Sequence, residues 1–71
     1  MKTKELDLHN TKHEDVDRLV ENFVLLNNPP LTIITGKSER MRKLVRDVLH
    51  RHHIHYEQWN NPGEYKILEN F

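Results

Sequence analysis

Hydrophobic positions alternate at the start of the chain. From Lys4 to His9, Leu6 and Leu8 fall on one side and Asp7 and His9 on the other, a period of two that predicts a short strand with one buried face. The period then lengthens. Val16, Leu19, Val20 and Phe23 recur at helical spacing. Ahead of them Thr11-Lys12-His13-Glu14 fits a capping box, in which a hydroxyl and a carboxylate satisfy free backbone donors reciprocally. Glu14, Asp15 and Asp17 lie in the first turns, where the helix dipole favours anions, and Asn27-Asn28-Pro29-Pro30 ends the segment. The pattern predicts a helix from about Lys12 to Leu26.

Leu31-Thr32-Ile33-Ile34-Thr35 is a β-branched run and reads as a second strand. Gly36-Lys37-Ser38 then turns into a stretch where Met41, Leu44, Val45, Val48 and Leu49 keep helical spacing, predicting a second helix from about Glu39 to Arg51 or His52. Ile54–Trp59 and Glu64–Glu69 are two more strand candidates, separated by the turn chemistry of Asn60-Asn61-Pro62-Gly63. The predicted order is βαβαββ. Two strand–helix–strand units imply parallel strands, right-handed crossovers and both helices on one face. The expected fold is therefore an α/β (α+β) two-layer sandwich with a four-stranded mixed sheet, open on its other face. With Leu6 and Leu8 under the helices, Asp7 and His9 point out of that open face. His9 and the Gly36 loop follow the carboxyl ends of their strands, on the rim where ligands of open sheets tend to sit.

Composition narrows the picture. A chain of 71 residues is one small domain, burying only about 60% of the surface its unfolded form exposes. No cysteine is present, so disulfides and thiolate metal sites are excluded. The longest apolar run, Phe23-Val24-Leu25-Leu26, is far short of a membrane span, and no apolar segment follows the basic N-terminus. A cytoplasmic protein is expected.

Eleven basic residues balance eleven acidic ones, which argues against tight polyanion binding by the whole surface. The balance is a sum of separated charges. Residues 37–55 hold six basic and two acidic side chains, while residues 1–36 and 56–71 are each two charges negative. A local phosphate site is expected at Lys37 and the helix behind it.

The candidate chemistry falls into five groups. Asp7-Leu8-His9 puts a carboxylate beside an imidazole, which fixes the tautomer and poises the ring for proton transfer; the plainer alternative is a strand-end charge and a polar residue before a helix. Gly36-Lys37-Ser38 offers backbone amides and a lysine to a phosphate at a helix N-terminus, or is simply a turn with Ser38 as N-cap. It is too short for a nucleoside-triphosphate loop. The second helix adds Arg40, Arg42, Lys43, Arg46 and Arg51, with Arg42, Lys43 and Arg46 expected as a solvent-facing stripe. His50, His52, His53 and His55 straddle a helix end, where their directions diverge, which disfavours a zinc site. Tyr56, Trp59 and Tyr65 can stack on bases where they face outward, although burial is the default in so small a protein.

Leu6-Asp7-Leu8-His9, Ile33-Ile34-Thr35-Gly36-Lys37 and the βαβαββ order together resemble the small MutS-related (Smr) domain family, in its compact stand-alone form, across nearly the whole chain. The family pattern runs L-D-L-H-G and then H-G-x-G or T-G-x-G. Asn10 replaces the usual glycine, Thr35 stands where histidine is common, and Ser38 where a second glycine is frequent. The resemblance implies a sandwich similar to the C-terminal domain of a bacterial translation initiation factor. It also implies nucleic-acid binding and endonuclease activity on DNA or RNA. Carried over, Asp7 and His9 are the catalytic pair, and Gly36 and Lys37, with Ser38, Arg40, Arg42 and Lys43 behind them, bind substrate.

RNA is favoured over DNA. Asp7 stands alone, without the carboxylate cluster that two-metal nucleases need; no cofactor is called for, and a divalent cation such as magnesium is compatible with the pair but not demanded by it. RNA carries its own nucleophile, the 2′-hydroxyl, which a histidine can deprotonate. His9 is then base or acid, Asp7 orients it, Lys37 steadies the developing charge, and His13 is the candidate second proton-transfer group. This reading requires Asp7, His9 and Lys37 to converge on one concave surface. The alternatives are a non-catalytic nucleic-acid- or ribosome-binding module, which needs only the basic loop and helix, and a protein-interaction adaptor, which needs neither.

Overall fold

The computed structural model describes residues 4–59 and 61–69. In chain order these form β1 (Lys4–Asp7), α1 (His13–Leu26), β2 (Leu31–Ile34), α2 (Glu39–Arg51) and β3 (Glu64–Ile67). The strands make one mixed sheet in the order β1-β2-β3. β1 runs parallel to β2, pairing Leu6 with Ile33 and Asp7 with Ile34. β3 runs antiparallel to β2, pairing Tyr65 with Ile33 and Glu64 with Ile34. The α/β character and the mixed sheet match the sequence pattern; the strand count does not.

Three strands form where four are predicted. Of the Ile54–Trp59 candidate only Glu57 pairs, in an antiparallel bridge to Lys66 with both hydrogen bonds at 2.8 Å. The segment is drawn off at its start, because the Ile54 N–H caps α2 by donating to the Leu49 carbonyl at 2.8 Å. At its far end, Gln58 turns its amide to the Pro62 carbonyl. The partial hairpin therefore adds one rung rather than a strand.

One apolar cluster fills the space between helices and sheet. Val16, Val20 and Val24 come from α1, and Met41, Val45, Val48 and Leu49 from α2; Leu8, Leu31, Ile33, Tyr65 and Ile67 meet them from the sheet side. The register explains the sheet's share, since Ile33 and Tyr65 form one inward row and Leu31 and Ile67 the next. Each fully buried aliphatic side chain contributes roughly 1.5–3 kcal/mol. The opposite face carries Glu5, Asp7, Thr32, Ile34, Glu64 and Lys66, by the alternation of the strands.

One helix end departs from expectation. α1 starts at His13 with Lys12 as N-cap and no side-chain cap. The capping box fails because Thr11 is held outside the helix, its N–H donating to the Leu8 carbonyl at 2.9 Å. α2 is capped as predicted, Ser38 Oγ accepting the Met41 N–H at 3.1 Å. It ends in a Schellman motif: the Ile54 N–H reaches the Leu49 carbonyl, the His53 N–H reaches the His50 carbonyl, and His53 takes the left-handed conformation at φ 56°.

Candidate functional site

The Asp7–His9 pair forms by a turn rather than by strand alternation. β1 ends at Asp7, short of the predicted His9. The Leu8 N–H still extends the parallel ladder to the Ile34 carbonyl at 2.8 Å, and the Leu8 carbonyl then closes a turn with Thr11. Within that turn Asp7 Oδ1 accepts both the His9 backbone N–H at 3.1 Å and a 2.9 Å hydrogen bond from His9 Nδ1. The Asp7 carboxyl is held below the usual carboxylate range, first by the His9 ring and then by the His9 N–H. With Nδ1 donating to Asp7, Nε2 is the nitrogen that carries the lone pair. The His9 and Asp7 side chains are 61% and 53% exposed.

The Gly36 loop emerges beside this turn, because Asp7 and Ile34 are register partners on parallel strands. Its shape is set by a carbonyl across the sheet. Gly63 O accepts the Thr35 N–H at 2.7 Å, the Gly36 N–H at 3.2 Å and the Thr35 hydroxyl at 3.1 Å. Gly36 adopts φ +73°, a conformation that favours glycine. The Gly36 amide, expected to cradle phosphate, is thus spent on Gly63, and buried Thr35 anchors the loop. What the loop leaves facing solvent is Lys37 and Ser38, the Ser38 hydroxyl already accepting the Met41 N–H of the first turn of α2.

The basic residues divide into two groups. Lys37, Arg40 and Lys43 are exposed, Lys43 lying 4.0 Å from Asp47. Arg42 is not part of a solvent-facing stripe: its side chain is 18% exposed and paired with Glu39, and its Nε is buried without a partner. Arg46 is half-buried and reaches the Tyr65 hydroxyl at 3.5 Å. Of the two, Arg46 reaches towards β3, where the Tyr65 hydroxyl also donates to the Arg42 backbone carbonyl at 3.4 Å.

The histidines of residues 50–55 disperse. His50 stacks on Tyr56 with centroids 5.9 Å apart, His52 Nε2 lies 2.8 Å from Glu21 Oε2, and His53 occupies the left-handed cap. Among the described residues no three His, Asp or Glu side chains are grouped as a bound metal ion would require. His13, the candidate second proton donor, is exposed as the first residue of α1, on the same rim as His9.

Among the described residues no concave surface is lined by Asp7, His9 and Lys37 together. Asp7, His9 and Lys37 share one rim, but no hydrogen bond or ion pair joins Lys37 to the pair among the described residues. The recesses lie elsewhere. One of about 220 Å³ is lined by Trp59, Asn61, Glu64 and Lys66, and a much smaller one of about 20 Å³ by residues including His55, Tyr56 and Leu68. No family model, characterised protein or solved structure matches this chain. Among the described residues, no helix is long and apolar enough to cross a membrane.

Three residues of this region are not singled out by sequence reasoning. Gly63 reads only as a turn residue, although it holds the loop of another strand. Lys12 reads as the interior of a capping box, although it is the N-cap beside His9. Lys66 belongs to no motif; its place over Trp59, 5.5 Å from the ring centroid, follows from the partial hairpin.

Proposed function

We propose that this chain is an Smr-like endonuclease that cleaves RNA in preference to DNA, built on a sandwich of the kind found in the C-terminal domain of a bacterial translation initiation factor. The observation that supports this most directly is the 2.9 Å contact between His9 Nδ1 and Asp7 Oδ1. A carboxylate on Nδ1 leaves Nε2 free to take a proton, which is the arrangement a general base needs. His9 Nε2 accepts the proton of a ribose 2′-hydroxyl. The 2′-oxygen then bonds to the adjacent phosphorus, and the bond from phosphorus to the 5′-oxygen breaks, leaving a 2′,3′-cyclic phosphate. The departing 5′-oxygen takes a proton from His13 or from water, and Lys37 offsets the charge that builds on the phosphorane. Lys37, Arg40 and Lys43 supply backbone affinity, and Arg42 supports the helix through Glu39.

A structured RNA incubated with the wild-type chain is expected to give products ending in 2′,3′-cyclic phosphate, unaffected by EDTA, while the matching DNA stays intact. His9→Ala is expected to slow cleavage by roughly 10²-fold or more, and Asp7→Asn to slow it while leaving binding in place. Cleavage fully retained in His9→Ala sinks the mechanism.

A second reading draws on the exposure of the pair. More than half of each side chain faces water, and neither recess contains it, so substrate itself has to cover the pair before water is excluded. A non-catalytic nucleic-acid- or ribosome-binding module needs no such covering. Salt-sensitive RNA binding with no cleavage under any condition establishes that reading instead.

A further inference from the structure

The sheet turns one face away from the helices, and the pairing register dictates what lies on it. Glu5, Thr32 and Lys66 form one row across the strands; Asp7, Ile34 and Glu64 form the next. Glu57 prolongs the first row through its bridge to Lys66. Trp59 follows on the same side, where it meets Lys66, Glu64 and Asn61 around the recess of about 220 Å³.

Trp59 is 60% exposed, yet it is held in place. Its indole N–H donates to Glu57 Oε1 at 3.1 Å, and the Lys66 ammonium stands 5.5 Å from the ring centroid. Lys66 is itself tied to Thr32 Oγ1 at 3.2 Å and to Glu64 Oε1 at 3.3 Å. Asn61 is fixed as well, donating to Glu64 Oε2 at 2.7 Å and accepting the Gly63 N–H at 2.9 Å. A large aromatic ring oriented in advance and open to solvent loses little freedom on stacking against a flat partner.

The surrounding charge identifies that partner. Glu5, Asp7, Glu57 and Glu64 make this face acidic around a single central lysine, so a phosphate is unwelcome on it and a neutral ring is not. The cationic groups, Lys12, Lys37 and Arg40, lie instead on or next to the rim. A single strand lying across the molecule therefore turns its bases to the sheet and its phosphates to the rim. We infer that the Trp59 recess is a nucleobase subsite that takes a guanine of single-stranded RNA; this rests on the nucleic-acid reading above and deepens it. Asp7 and Glu64 flank Ile34 in one row, so their backbones are about 10 Å apart, and the stacked base belongs to a nucleotide close to the phosphodiester presented to His9. Glu64 can only accept hydrogen bonds. Each of its oxygens already accepts one, from Lys66 and from Asn61, and retains a further lone pair, and guanine offers the donors N1–H and N2–H₂ side by side. Uracil offers one N–H and a smaller ring.

Trp59 is the single tryptophan of the chain, so its fluorescence reports this recess alone. The probes are end-labelled 2′-O-methyl uridine hexamers, which lack the attacking hydroxyl, with one central residue left as uridine or changed to guanine, adenine or cytosine. The guanine hexamer is expected to quench Trp59 and to bind roughly tenfold tighter than the all-uridine one, the order of effect of one base–aromatic stack. Trp59→Leu, followed by anisotropy, and Glu64→Gln are expected to remove that preference, with circular dichroism confirming the fold. Equal affinity and quenching for every hexamer, or undiminished guanine preference in Trp59→Leu, overturns the subsite. If binding then still weakens with salt and with Lys37→Ala, the nucleic-acid reading survives without the recess. Absence of binding to any hexamer and to structured RNA overturns both.

Discussion

Gly63 and Gly36 pass each other backbone against backbone: a Cβ placed on Gly63 would lie 2.8 Å from the Gly36 carbonyl oxygen. The two glycines are required for different reasons. At Gly36 a Cβ meets nothing within 4 Å, but φ is +73°. Gly63→Ala is therefore expected to destabilise the fold by about 1–3 kcal/mol through overpacking against rigid backbone. Gly36→Ala is expected to lose about 1 kcal/mol through its left-handed conformation alone. Urea unfolding measures both, and Gly36→Asn, which tolerates that region better, is expected to be milder than Gly36→Ala. Equal losses for alanine and asparagine at position 36 would argue against the conformational cause.

Lys12 occupies the N-cap of α1 with no side-chain cap, at the helix end where a cation is least welcome. Lys12→Asp is expected to stabilise the chain by about 1 kcal/mol, read as a higher urea midpoint. The same change removes a cation from the rim that carries His9, so RNA affinity is expected to fall and its salt dependence to flatten. A gain in stability with unchanged affinity removes Lys12 from the interface.

His53 closes the Schellman motif at φ 56°, where a glycine is usual. His53→Gly relieves the left-handed strain but adds freedom to the unfolded chain, for a net gain of about 0.5–1 kcal/mol. His53→Ala keeps the strain and is expected to show no gain, which separates backbone geometry from loss of the imidazole.

Asp7 accepts from His9 twice, through ring and backbone. The carboxyl carbon of Asp7, followed by NMR, is expected to titrate below the usual aspartate range. His9→Ala is expected to bring it only part of the way back, because the backbone donor at position 9 remains. Complete recovery would mean that the ring alone holds the carboxylate.

The outline of the fold is legible in the sequence where burial enforces a period. Val16 and Val20, and Met41, Val45, Val48 and Leu49, face the core from helices as their spacing predicts. Leu19, Phe23 and Leu44 of the same stripes are only half-buried and Val24 is buried instead, while both helices end within a residue of the predicted limits. The pairing of Asp7 with His9 is legible too, because the two side chains are close in sequence. What escapes is decided by competition for single backbone groups. Thr11 has the right residue type for a cap, but Leu8 claims its N–H; Ile54 begins a run suited to a strand, but Leu49 claims its N–H first. Neither contest leaves a mark on hydrophobic periodicity. The exposure of Trp59 escapes for the same reason, since it depends on a hairpin that forms one rung.

Asp17 ties α1 to α2 through a two-pronged contact with Arg51, at 2.7 and 3.0 Å, with Glu21 bridging Arg51 and His52 alongside. Arg51 holds the Asp17 carboxyl below its usual range and is itself pushed up, chiefly by Asp17. A carboxyl with a lower pKa in the folded than in the unfolded state stabilises the fold at pH values above the unfolded pKa, and that contribution disappears as pH falls through the folded one. The contribution of Asp17 is thus complete above about pH 4 and is lost on further acidification. Asp17→Asn is expected to lower the urea midpoint slightly at neutral pH, as befits an exposed pair, and to converge with wild type in strong acid. Added salt is expected to narrow the neutral-pH gap in the same way. A gap that persists unchanged in acid and in salt would assign the loss to packing between the helices rather than to charge.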